Sequence, residues 1–185
     1  MDIFGTILLH TAGGGGIVSG FLHPILGLDH LLAMVSVGLL SAQLGGRAIW
    51  TVPAMFVGAM ALGGILGLVG VPLPLVEIGI AGSVILLGLA IAANRGLPVA
   101  AAMAVVALFG LFHGHAHGTE IPEITNTVGL LIAYIVGFLV ATIGLHIVGA
   151  LLGMMAIRNT RGTRTLQVAG GVISVLGIFI ITGIL

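Results

Sequence analysis

The sequence contains no cysteine and no lysine, and among its 185 residues only five arginines and five carboxylates are charged. Each shortage excludes something. Without cysteine there is no disulfide, iron–sulfur cluster or thiolate ligand, so any metal is held by nitrogen, oxygen or, weakly, methionine sulfur. A formal net charge of zero with no lysine leaves no basic surface for a nucleic-acid partner. No Walker-type phosphate loop occurs, so the chain binds no nucleotide and is not itself an ATPase. Only 5% of residues are charged and 59% are hydrophobic, where a soluble domain carries about a quarter charged. Such a chain cannot cover itself in water, and its solvent is the lipid bilayer.

What is abundant agrees. The 32 glycines are too many for soluble helices but suit tightly packed transmembrane ones, where small residues let backbones approach. The length allows one compact bundle and no separate soluble domain. The expected fold is therefore all-α, a polytopic membrane bundle, with residues 1–185 forming a single transmembrane domain.

Along the chain, residues 1–16 read as an interfacial lead-in, with a seventh span as the alternative. Ile3 to Leu9 is too short to cross, Gly13 to Gly16 is poor helix interior, and no lysine or arginine precedes Arg47. Six spans follow, at about 17–42, 49–69, 75–93, 98–114, 127–157 and 165–185. Pro24 predicts a break or fresh helix start near His23 in the first. Pro98 suits the opening turn of the fourth, and the fifth exceeds the ~20 residues needed to cross. Arg47, Arg95, Arg158, Arg161 and Arg164 all fall in connections after spans one, three and five. The positive-inside rule places those connections in the cytoplasm and both termini outside.

Two polar stretches interrupt the apolar chain. FHGHAHGTE, Phe112 to Glu120, carries three histidines and a carboxylate. As a continuing helix it stacks His113, His117 and Glu120 at i, i+4 and i+7 on one face, with His115 pointing elsewhere. As a solvated loop, which its two glycines and Thr119 equally allow, it would do neither. HPILGLDH, His23 to His30, puts His23 and His30 seven apart with Asp29 beside the second. Arginine counting and histidine spacing place both stretches toward the same side of the membrane. A charge inside a span costs roughly 2.5–3.5 kcal/mol even on gentle insertion scales, so such groups face a cavity or a partner. His23, Asp29, His30, His113, His117 and Glu120 offer a nitrogen and oxygen shell suited to borderline divalent ions such as Ni(II), Co(II) or Zn(II). Ligating imidazole is neutral, so protons compete near the unperturbed histidine pKa of ~6.5 and acidification is expected to weaken binding.

These stretches, with LGGRAIWTVPA (44–54), VEIGIAGSV (76–84) and the isolated His146, resemble the HupE/UreJ family of nickel/cobalt permeases over nearly the whole chain. The resemblance implies uptake of Ni(II), or Co(II), across a bacterial inner membrane to supply the maturation machinery of hydrogenase or urease, with Zn(II) as a surrogate ion and no prosthetic group. It matches His23, Asp29 and His30 to one family signature and His113, His117 and Glu120 to the other. Family members often begin with a cleavable signal peptide, and this chain lacks its basic start. Another family of nickel/cobalt permeases carries H-x4-D-H; the spacing here is H-x5-D-H, so residue roles are not carried across from it.

Four residues read two ways. His115 is expected at the surface or in an outer vestibule. His146, alone within span five, is a candidate for onward passage because an ionisable group inside a membrane is functional by default. Glu77 is either a second carboxylate at the mouth or a first-turn acid favoured by the helix dipole. Met34, one turn past His30, is a weak sulfur ligand or core filler. The pairs Ala59/Gly63, Gly63/Gly67 and Gly149/Gly153 read as helix contacts. From other functional classes, an intramembrane zinc hydrolase would use the same ligands to activate water, and a bis-histidine haem protein would use facing imidazoles. The sequence leaves a homo-oligomer open.

Overall fold

A computed structural model describes residues 16–124 and 127–184. The interfacial lead-in expected over 1–16 lies, but for Gly16, outside the described residues. Seven helices make up the described chain: α1 (Ile17–Leu26), α2 (Leu28–Leu44), α3 (Ala48–Leu68), α4 (Val76–Ala93), α5 (Val99–Ile124), α6 (Val128–Ala156) and α7 (Thr160–Ile181). Five, α3 to α7, are long and apolar enough to cross a membrane, and six if α1 and α2 count as one bent span. The protein is a multi-pass membrane protein.

Turn chemistry sets the boundaries. Gly45 and Gly46 carry φ of 70° and 54° between α2 and α3, a left-handed pair that a side chain would strain. Thr127 and Asn159 cap α6 and α7, accepting bonds from the amides of Leu130 (3.3 Å) and Gly162 (2.8 Å). The Asn159 cap starts α7 five residues before the expected boundary, so Arg161 and Arg164 sit in its first turns rather than in a loop.

The first span departs most from a straight rod. Pro24 lies inside α1, and the chain breaks at Gly27, whose extended backbone turns α2 by 80° from α1. The break is near Pro24, as expected, but three residues past it. Proline near a helix end removes one amide without stopping the chain, whereas Gly27 leaves helical geometry altogether. At 17 residues α2 is about 26 Å long, close to a crossing by itself.

Glycine contacts give the directions. Along α3 and α5, a Cβ on Gly110, Gly114 or Gly118 would overlap the carbonyls of Phe56, Met60 and Gly64 in that order, so these helices run parallel. Gly63 and Gly67 face Leu111 and His115 in the same way. On α6, Gly149 and Gly153 meet Val35 and Leu39 of α2, also in parallel. The contacts expected of Gly63/Gly67 and Gly149/Gly153 are therefore made. α4 and α7 are antiparallel, with Gly88 against Gly170 and Ser174 Oγ donating to the Ile85 carbonyl at 2.8 Å. The bundle thus has an arginine end, holding the α2–α3, α4–α5 and α6–α7 connections, and a histidine end. Large apolar side chains such as Leu62, Val140, Leu151 and Val172 point outward, the surface a helix presents to lipid.

Candidate metal centre

The fourth span does not end at residue 114: α5 continues to Ile124, carrying FHGHAHGTE as helix. The glycines responsible for the loop alternative are the reason it holds. Gly110, Gly114 and Gly118, four apart, bring α5 backbone-to-backbone against α3. The adjacent face then presents His113, His117 and Glu120 to the break between α1 and α2.

That break completes the site. His23 and His30 do not share one straight helical face, as their spacing suggested. The bend at Gly27 folds the end of α1 over the start of α2 and leaves their rings 5.9 Å apart. His117 lies 4.6 Å from His23 and 4.5 Å from His30, and His113 lies 5.0 Å from His30. Four imidazoles from two discontinuous stretches of sequence share one spot. Glu120 Oε2 stands 3.8 Å from both His23 Nε2 and His117 Nδ1. One ligand atom each from His23, His117 and Glu120 lie within 4.8 Å of one another. Ligands on one ion with ~2.1 Å bonds sit roughly 3–4.2 Å apart from cis to trans, so this set is slightly wider than a closed shell.

For two of the rings the second nitrogen shows how the first is aimed. Asp29 Oδ1 accepts from both the amide (2.8 Å) and Nδ1 (2.6 Å) of His30. A carboxylate only accepts, so His30 carries its hydrogen on Nδ1 and presents the Nε2 lone pair. The Phe109 carbonyl does the same for Nδ1 of His113 at 2.9 Å. Asp29 therefore backs the His30 ring through Oδ1, orienting and polarising it as carboxylates commonly do beside metal-bound histidine. Buried without a hydrogen-bond partner are His23 Nδ1, His30 Nε2, His113 Nε2 and both nitrogens of His117. Leaving one such group unpaired costs about 1–3 kcal/mol. A cation takes one nitrogen from a ring and so relieves several of the five, whereas an apolar core explains none of them.

Burial is graded across the cluster. The Glu120 side chain is 52% exposed, those of His23, His30 and His117 15%, 10% and 5%, and His113 is fully buried. Tyr134 and Phe138, stacked one turn apart on α6, wall it, with the Phe138 ring 4.4 Å from His117. Phe56 of α3 closes the deep side, 5.5 Å from His113. Sequence reasoning missed these three aromatics.

Other candidates fall outside the cluster. His115 is buried, not in a vestibule: its Nε2 donates to the Val71 carbonyl at 2.7 Å and pins the α3–α4 connection. Two residues along a helix is about 200° of rotation, which takes it away from its neighbours. Glu77 is exposed in the first turn of α4, and among the described residues no ion pair reaches it. Met34 is buried in the hydrophobic core. His146 is buried deeper along α6, away from Glu120 and His23.

Comparison with known proteins shows the family. The family model described as HupE / UreJ protein matches residues 3–180. The chain belongs to the HupE/UreJ family. It is also similar to Protein HupE of Rhizobium leguminosarum bv. viciae, 44% identical over 169 residues that cover 91% of this chain and 85% of that protein. No solved structure matches it. The paired motifs that carried the resemblance to HupE/UreJ proteins are thus the segments that the fold brings together.

Proposed function

We propose that this HupE/UreJ protein carries a divalent transition-metal ion, Ni(II) foremost and Co(II) next, across a bacterial inner membrane, without enzymatic chemistry of its own. The observation that carries the reading is the group of unpartnered imidazole nitrogens on His23, His30, His113 and His117, drawn together at a break in a membrane helix. Neutral imidazole suits borderline divalent ions better than magnesium or calcium, which prefer oxygen. Two carboxylates stand by the site, Glu120 beside the rings and Asp29 behind His30. Their combined charge balances a dication, which a buried site requires.

The grading of burial supplies a route. A hydrated ion meets Glu120 first, exchanges water for His23 and His117, and passes toward His30 and His113 as exposure falls. Conduction needs sites that bind firmly enough to dehydrate the ion and loosely enough to release it. Several part-overlapping imidazole pairs do this better than one closed shell. Transporters commonly place such sites where a helix is interrupted. The arginine end faces the cytoplasm by the positive-inside rule, so the histidine end receives the ion from outside. Delivery to nickel-enzyme maturation follows from the family resemblance.

The test is uptake of radioactive nickel into proteoliposomes, with cobalt and zinc as competitors. Uptake in the wild type, abolished in His30→Ala at equal protein, is expected. Undiminished uptake in both His30→Ala and His117→Ala would sink the assignment.

A further inference from the structure

His146 has no part in the cluster, yet its burial asks for an explanation. It is 3% exposed, and both ring nitrogens are buried without a hydrogen-bond partner. A neutral imidazole has one donor and one acceptor, and here neither is answered. Gly38 of α2 packs directly on the His146 carbonyl and fixes the backbone there. His115, buried on α5, shows what a structural role looks like: its Nε2 donates to the Val71 carbonyl. His146 does not.

Its surroundings connect it to the cluster. One turn nearer the histidine end, Thr142 is fully buried with its hydroxyl also unpartnered. Phe138 and Tyr134 continue the same four-residue step to the wall of the cluster. The face of α6 that backs the four histidines therefore becomes polar again farther toward the arginine end. Phe56 stands between, its ring 5.5 Å from His113, the most buried of the cluster, and 5.3 Å from His146. An ion leaving the cluster at its deep side meets this ring with His146 beyond it.

We propose that His146, together with the Thr142 hydroxyl, is a second and inner station for the divalent cation, holding it with fewer protein ligands than the outer cluster and so releasing it toward the arginine end. This rests on the cluster being the cation site. A one-imidazole station leaves most of the ion's shell to water, which suits release rather than storage.

Two readouts on the full-length chain separate the stations: visible absorption of bound Co(II) in detergent, and radioactive nickel uptake in proteoliposomes. His146→Leu is expected to keep Co(II) binding at the cluster within about twofold of wild type. Its uptake is expected to fall by about tenfold or more, with partial recovery in His146→Gln, which restores a ligating oxygen. Uptake of His146→Leu within about twofold of wild type would overturn the inner station. Loss of the Co(II) spectrum together with uptake would also overturn it, since that marks a role in holding the cluster. Should His146→Leu fail to fold, His146→Phe, which also lacks a ligating atom, decides by the same criteria. Wild type that binds Co(II) no better than His117→Ala would fell the cluster reading, and this inference with it.

Discussion

Two faces of one helix turn carry opposite work in α5. On one, Gly110, Gly114 and Gly118 remove side chains so that the backbone can lie against Phe56, Met60 and Gly64 of α3. On the next, His113 and His117 bring imidazoles to a spot where His113 Nε2 and both nitrogens of His117 find no hydrogen-bond partner within the fold. His115, between them in sequence, belongs to neither face and spends its Nε2 on the Val71 carbonyl. Residue type does not separate these histidines; what surrounds each ring does. The glycine face is what makes the histidine face affordable, because close packing on α3 holds α5 helical where the glycines alone would favour a loop.

The largest expected effect comes from breaking the glycine face. Gly114→Val sets two methyls against the Met60 carbonyl with backbone on both sides, and overpacking of this kind costs about 1–3 kcal/mol or more. Folded protein recovered from membranes should fall sharply; recovery at the wild-type level would contradict the contact. Breaking the histidine face comes next. His117→Ala removes the ring nearest to both His23 and His30, and Co(II) affinity should drop by more than about 100-fold while the protein remains in the membrane. Affinity retained to within a factor of ten would mean that the ion sits elsewhere.

A smaller effect sharpens the distinction between ligand and support. Asp29→Asn keeps the shape but weakens the hold on His30 Nδ1, and should lower Co(II) affinity by about 10–100-fold. An effect as large as that of His117→Ala would place Asp29 on the ion itself. The smallest belongs to the histidine outside both faces. His115→Phe gives up one hydrogen bond, about 1 kcal/mol of stability, and should leave metal affinity within about twofold. A large loss of binding in this variant would return His115 to the site.

Composition alone made the membrane bundle legible, because a chain with so few charges has no other solvent. The span boundaries at Ala48, Ala93 and Thr127 were equally plain, since glycine, asparagine and threonine mark them locally. The site was legible as two motifs but not as an arrangement. Helical periodicity stacked His113, His117 and Glu120 correctly once α5 was helix, and that depended on a glycine register read only with α3 in place. It misjudged His23 and His30, whose meeting depends on Gly27 leaving helical geometry, a choice that nothing in HPILGLDH announces over Pro24. Tyr134, Phe138 and Phe56 were invisible for a different reason: an aromatic in an apolar helix shows its neighbours only when the helices are packed. Asp29 offered itself by type alone, and only the packed structure shows its 2.6 Å bond to His30 Nδ1.

The central claim is that the converging imidazoles hold the cation, and X-ray absorption of the purified, nickel-loaded protein tests it most directly. The account predicts a first shell dominated by imidazole nitrogen, with the multiple-scattering signature of histidine, weakened in His117→Ala and unchanged in His115→Phe. A shell of oxygen alone, the same in all three proteins, would contradict it.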